Sequence, residues 1–175
     1  MKTPHQLTEN VKLLQKVVLW QGEKFLILQK SADAQSRPNY WDLPGGNVEW
    51  PKSTVDVHDS HLVDLVREVK EETGLIIDGI DSNDRQGNIG RQNLKSCFVG
   101  SYFESKRQIY TIIIGWQYRL PESIELPNVE LSSEHQNYAW IKSTDFDQYD
   151  FGFAGEEGGF IREMVRNSVE LIEKK

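Results

Sequence analysis

Residues 67–75 read Arg-Glu-Val-Lys-Glu-Glu-Thr-Gly-Leu, and three of their glutamates are spaced for one helical face. Side chains three and four residues apart lie above one another on a helix, so Glu68, Glu71 and Glu72 are predicted to face one point. Arg67 precedes Glu71 by four residues and can pair with it, but one guanidinium cannot neutralise three carboxylates. A divalent cation can, and oxygen ligands suit Mg²⁺ or Mn²⁺, the ions that accompany substrate phosphates. A solvated acidic face is the alternative.

A second motif, Trp-Asp-Leu-Pro-Gly-Gly at residues 41–46, precedes this acidic stretch. With both motifs in place the chain resembles the Nudix hydrolase family, whose box runs from a glycine pair through a glutamate to Arg-Glu-apolar-any-Glu-Glu-any-Gly-apolar. Residues 67–75 match every fixed position of the second half, so the box spans residues 45–75. The resemblance implies an α/β fold, a Nudix-type α/β/α sandwich with a mixed β-sheet.

The resemblance also implies an activity and a set of roles. The activity is Mg²⁺-dependent (or Mn²⁺-dependent) hydrolysis of a pyrophosphate bond in a nucleoside diphosphate linked to another moiety. The metal would be held by the carbonyl of Gly46 and by Glu68 and Glu72, with Glu71 as a further ligand. Arg67 would orient these glutamates rather than contact the substrate.

One feature of the box departs from the family pattern. Twenty residues lie between Gly46 and Arg67, seven more than the family's usual spacing. Counting forward from Gly46 puts Lys52 at the position of the first box glutamate, whereas counting backward from Arg67 puts Asp59 there.

Helix signals favour the first of these alignments. Ser53, followed by Asp56, resembles a capping box and predicts one helix from about residue 54 to residue 73. In such a helix Asp59 lies about 180° from Glu68 and cannot reach the same metal ion. Lys52 would then offer a cation to a substrate phosphate instead of a ligand to the metal.

Further candidates lie outside the box. Glu134 comes six residues before Trp140, and many Nudix sequences resemble this arrangement, with a late glutamate whose loop closes on the metal. Glu134 is therefore a candidate metal ligand or catalytic base, or else a solvated loop residue. Lys30 and Arg37 flank a polar loop and either could hold a phosphate, whereas Tyr40 is open to ligand stacking or to a place in the core.

Length, charge and cysteine content set the remaining expectations. The 175 residues fit a single domain, 1–175, and Cys97, the lone cysteine, favours a reducing compartment and hence the cytoplasm. The longest apolar stretch, near residues 112–114, is too short to span a bilayer. A net charge of −7 argues against long nucleic acid as a ligand, but a metal site would still allow a small nucleotide substrate. A homodimer is possible.

Short strands and two helices make up the predicted elements. We expect strands at 14–20, 24–29, 75–77, 98–103 and 109–119, and helices at 54–73 and 160–173. Gly22 marks the turn of a first hairpin, residues 106–107 mark that of a second, and Gly74 is placed to cap the first helix. Segments 31–40, 81–93 and 122–133 are predicted to be loops.

Two other classes of protein stay open at this point. If the altered first half of the box disables catalysis, the same pocket could serve a nucleotide-binding regulatory module. An isopentenyl-diphosphate isomerase shares the fold but would need a catalytic cysteine near the glycine pair, and Cys97 is far from that pair in sequence.

Overall fold

A computed structural model describes residues 10–49, 61–77, 94–121, 125–152 and 159–173. The strands are β1 (Asn10–Gln21), β2 (Lys24–Lys30), β3 (Trp41–Asp42), β4 (Leu94–Glu104), β5 (Ile109–Arg119) and β6 (His135–Lys142). The helices are α1 (Leu62–Thr73) and α2 (Gly159–Glu173), and a short 3₁₀ helix covers Ser143–Gln148. No helix within these ranges is long and apolar enough to cross a membrane.

The strands form one six-stranded mixed sheet in the order β3-β2-β1-β5-β4, with β6 also paired to β2. The parallel pair is β1 with β5, which runs from Asn10 opposite Ile109 to Trp20 opposite Arg119. The other pairs, β1 with β2, β2 with β3, β2 with β6 and β4 with β5, are antiparallel. Both predicted hairpins are therefore confirmed.

Each face of the sheet has its own apolar core. Successive side chains of a strand point to opposite faces, so Val18 and Trp20 of β1 join one cluster while Val17 and Leu19 join the other. Helix α2 packs on the first face through Ile161, Met164 and Val165. Helix α1 packs on the second face through Leu62, Leu65 and Val69. The predicted α/β/α sandwich with a mixed sheet is confirmed.

A gap between β1 and β2 receives the glycine motif. The two strands pair only at their hairpin end, where Trp20 lies opposite Phe25. Beyond it, residues 44–48 run along β1: Val17 N–H donates to the Pro44 carbonyl and Gln15 N–H to the Gly46 carbonyl, each at 2.9 Å. The glycine pair is thereby held between β1 and α1.

Several local predictions can be compared with the described elements. Gly74 has φ 70° and its N–H donates to the Lys70 carbonyl, so the predicted left-handed cap is confirmed. The predicted strand at 75–77 is wrong, because this segment forms no strand although the side chain of Ile77 is buried in the α1-face cluster. Strand β6 was not among the predicted elements.

The predicted helix from residue 54 to residue 73 is wrong at His61, which lies in a turn. Helix α1 begins at the next residue, Leu62. Positions 54–60 of that prediction, with Lys52 and Asp59, lie outside the described residues, as does the predicted loop at 81–93.

Candidate active site

The three glutamates of α1 have different surroundings. Glu72 is buried, Glu68 is partly buried with 22% of its side chain exposed, and Glu71 is exposed over 58% of its side chain. Glu71 turns outward to the Arg67 guanidinium, at 2.9 Å. The prediction that all three carboxylates face one point is therefore wrong, since two of them face the glycine pair and the third faces Arg67.

Glu72 is the buried carboxylate of helix α1. Its Oε2 accepts a hydrogen bond from the Gly45 N–H at 2.7 Å, and its Oε1 lies 3.8 Å from Nε2 of His135. Burial raises the pKa of Glu72 to about 7, although the Lys16 charge and the Gly45 hydrogen bond act in the opposite direction. A cation brought to this carboxylate would favour its ionised form.

Glu68 lies between Arg67 and the glycine pair. Its Oε1 is 2.8 Å from the Arg67 guanidinium, and a Cβ added at Gly46 would be 2.4 Å from its Oε2. Burial raises the pKa of Glu68, and the neighbouring Arg67 partly offsets this. Arg67 contacts both Glu68 and Glu71, an arrangement that supports the orienting role implied for it.

The turn at Gly45 and Gly46 is held by hydrogen bonds from a buried lysine. Lys16 Nζ donates to the Gly45 carbonyl at 2.6 Å and to the Leu43 carbonyl at 2.9 Å. Gly45 has φ +120°, and a Cβ there would be 2.4 Å from the Gln15 carbonyl oxygen, so glycine is required. The Gly46 carbonyl accepts the Gln15 N–H and keeps a second lone pair, so its metal contact stays a prediction.

Asp42 links the turn to the predicted phosphate-binding cations. This buried carboxylate lies 3.2 Å from Lys16 Nζ and 2.5 Å from the Arg37 guanidinium, which also donates to the Phe151 carbonyl. Burial acts to raise the pKa of Asp42, but the charges of Lys16, Arg37 and Lys30 outweigh it and hold that pKa below its usual value. Arg37 is thus engaged within the fold, and a phosphate contact by it stays a prediction.

Two other predicted substrate contacts lie nearby. Burial lowers the pKa of Lys30, whose charge is close enough to Asp42 and Glu72 to act on both. Tyr40 is half-buried, and a Cβ at Gly152 would lie 2.6 Å from its ring, so the ring packs on that glycine. Substrate contacts by Lys30 and Tyr40 stay predictions, and Lys52 lies outside the described residues.

A loop before β6 is tied to the end of α1. Glu130 N–H donates to the Thr73 carbonyl at 2.9 Å, and Ser132 N–H to the Glu72 carbonyl at 3.4 Å. Glu134 is exposed and its carbonyl accepts the Ser31 N–H. The side chain that this loop brings to Glu72 is the buried imidazole of His135, while the role of Glu134 stays a prediction.

Three residues of this site were given no role by sequence reasoning. Lys16, Asp42 and His135 are buried by segments distant in sequence, so local patterns do not reveal their contacts. The available signals were weak: a lysine inside the apolar run of β1, and an aspartate inside the motif at 41–46. His135 has no neighbour in sequence that would mark it as a metal ligand.

The residues fit a divalent cation with few protein ligands. Among the described residues no three histidine, cysteine, aspartate or glutamate side chains converge on one point. Mg²⁺ is commonly held by one or two carboxylates, with waters and substrate phosphates completing its shell. Glu68 and Glu72 meet this requirement with hard oxygen donors, and burial raises the pKa of each carboxyl.

Comparisons with solved structures place the fold among known ones. A MutT protein from Methanosarcina mazei Go1 matches with a TM-score of 0.64 at 20% identity, over 95% of this chain and 97% of that chain. A C. elegans Ap4A hydrolase matches with a TM-score of 0.58 at 18% identity, over 94% of this chain and 99% of that chain. The NUDIX domain of Shewanella oneidensis NrtR, solved with ADP-ribose, matches with a TM-score of 0.58 at 10% identity, over 94% of this chain and 89% of that chain. At these identities the likeness shows the fold.

Family membership rests on a separate comparison. No curated protein matched the chain, but the family model described as the NUDIX domain matches residues 15–163. This match contains the glycine pair, the acidic helix α1 and the loop before β6. The chain therefore belongs to the Nudix family and is a hydrolase that acts on pyrophosphate bonds.

Proposed function

We propose that this hydrolase cleaves the pyrophosphate bond of a nucleoside diphosphate linked to another moiety, with Mg²⁺ or Mn²⁺ as its cofactor and with residues 1–175 forming one domain. The observation that carries the proposal is the pair of carboxylates, Glu68 and Glu72, beside the Gly45–Gly46 turn. Nudix hydrolases generally use divalent metal ions. The Ap4A hydrolase and the ADP-ribose complex support a substrate in which a nucleotide diphosphate carries a further group.

Each residue has a role in this proposal. Glu68, Glu72 and the Gly46 carbonyl would hold the ion. A bound ion would neutralise the diphosphate and lower the pKa of a water molecule that attacks phosphorus. Arg67 would keep Glu68 and Glu71 oriented, and Glu134 would either join the ligands of the ion or take the proton of the attacking water.

The cations near the turn would bind the phosphates. The charge of Glu72 acts on the pKa of Lys30, and Arg37, anchored on Asp42, adds a second positive charge. Lys52 would supply a third cation from the box. Tyr40 would stack on a planar part of the substrate.

The test is a panel of nucleoside diphosphate derivatives incubated with the protein and Mg²⁺, with the products separated and identified. We expect two phosphorylated products from at least one derivative, and no turnover when the metal is chelated. Tight binding of panel members without cleavage would contradict the proposal and favour the nucleotide-binding module.

A further inference from the structure

The imidazole of His135 faces the buried carboxylate of Glu72. Its Nε2 lies 3.8 Å from Glu72 Oε1, and the two side chains are 4% and 10% exposed. This separation exceeds a hydrogen bond, whose donor and acceptor lie about 2.7–3.2 Å apart. Two atoms that each bind one ion at about 2.1 Å can lie up to about 4.2 Å apart. The separation of Nε2 and Oε1 is within this limit, so one ion can contact both atoms.

The fold fixes His135 in this orientation. Its N–H donates to the Ser132 carbonyl at 3.2 Å, and Ser132 N–H donates to the Glu72 carbonyl at 3.4 Å, so one loop links the histidine to the helix that carries the glutamate. The other ring nitrogen, Nδ1, is 3.4 Å from the Ser132 hydroxyl. Metal-binding histidines usually have an oxygen at their second nitrogen, which sets the tautomer and ring direction.

We propose that His135 Nε2 is a metal ligand beside Glu72, so that the site offers one nitrogen donor among its oxygens. The inference rests on the proposed metal-dependent function. Imidazole is a common ligand of transition metals such as Zn²⁺, Fe²⁺ and Ni²⁺, whereas Mg²⁺ prefers oxygen. The site is therefore suited to a transition metal such as Mn²⁺ as well as to Mg²⁺, with His135 raising the affinity for the transition metal and contributing little to Mg²⁺ binding.

The experiment measures Mn²⁺ bound to the full-length protein without substrate. Mn²⁺ affinity is obtained from the free-ion electron paramagnetic resonance signal, and direct ligation from ¹⁴N modulation of the electron spin echo. We expect strong ¹⁴N coupling in the wild type, its loss in His135→Gln, and a Mn²⁺ affinity at least about tenfold weaker in that variant. Mg²⁺ affinity, from competition with Mn²⁺, should change less.

Two further variants make the result specific. His61→Gln removes an exposed histidine at the start of α1 and should keep both the ¹⁴N signal and the Mn²⁺ affinity. Glu72→Gln should weaken Mn²⁺ binding whether or not His135 is a ligand. Glu72-dependent Mn²⁺ binding with no ¹⁴N coupling, or with coupling that survives in His135→Gln, would overturn the His135 ligand while leaving the proposed function standing. Mn²⁺ binding that is equally strong in the wild type and in Glu72→Gln would overturn both the His135 ligand and the proposed function.

Discussion

Glu72 combines burial, a backbone hydrogen bond and a neighbouring imidazole, so its charge should dominate the chemistry of the site. Glu72→Gln keeps the shape and can still accept the Gly45 N–H, but it removes the ligand charge. We expect Mg²⁺-dependent hydrolysis to fall below about a tenth of wild type, because metal stabilisation of a phosphoryl transition state is worth several kcal/mol. Initial rates at saturating Mg²⁺ test this, with urea unfolding as the check on folding. Retention of a larger fraction would contradict the assignment.

Glu134 has only its exposed position before β6 to support a catalytic role. If it accepts a proton or binds the metal late in the reaction, Glu134→Gln should lower kcat more than it changes KM. Glu130→Gln, an exposed glutamate of the same loop, is the matched control and should keep its kcat. Equal values of kcat in both variants would return Glu134 to the class of solvated loop acids.

The turn between β3 and α1 makes different demands on its two glycines. A Cβ at Gly45 would meet the backbone of Gln15 at 2.4 Å in a conformation that only glycine adopts readily, whereas a Cβ at Gly46 would meet the movable carboxylate of Glu68. Gly45→Ala should therefore lower the free energy of unfolding by more than about 1 kcal/mol. Gly46→Ala should mainly lower kcat, by displacing Glu68. Urea unfolding measures the effect on stability and steady-state rates measure the effect on kcat. A larger loss of stability in Gly46→Ala than in Gly45→Ala would contradict these contacts.

Elements with a strong local period were predictable, and those fixed by distant partners were not. The face of α1 with Glu68 and Glu72 follows from helical spacing, and the hairpin of β1 and β2 from apolar runs around Gly22. Residues 75–77 are apolar like a strand, yet Leu75 and Ile77 pack into the core without strand pairing and Ile76 is exposed. Strand β6 contains the exposed Gln136 and Asn137 and depends on pairing with β2, more than a hundred residues earlier in the chain.

Buried charges tie distant parts of the molecule together beneath the site. Lys16 belongs to β1, Asp42 to β3 and Arg37 to the loop between β2 and β3, while Arg37 also reaches the Phe151 carbonyl beyond the 3₁₀ helix. The buried charges of Lys16 and Asp42 are tolerated in the interior because each has a charged partner. The sequence shows the residues but not their convergence, which requires the completed sheet.

This network predicts how stability depends on pH. Because the folded state holds the pKa of Asp42 below its unfolded value near 3.8, the ionised carboxylate stabilises the fold above that unfolded value. The contribution is lost as pH falls through the lower, folded pKa. Asp42→Asn leaves Lys16 and Arg37 without their buried partner, so we expect a loss of about 3–5 kcal/mol in the free energy of unfolding at pH 7. The difference from wild type should shrink in acid.

Urea unfolding of both proteins at pH 7 and at stepped pH values below 4 measures this difference. The control is Glu23→Gln, which breaks an exposed pair with Lys142, 2.9 Å apart. Water screens that pair, so its loss should leave the free energy of unfolding nearly unchanged. If Asp42→Asn matched this control at pH 7, or if its deficit persisted unchanged in acid, the stabilising interaction of Asp42 would not be ionic. The turn that carries Gly45 and Gly46 would then be held chiefly by the carbonyl contacts of Lys16.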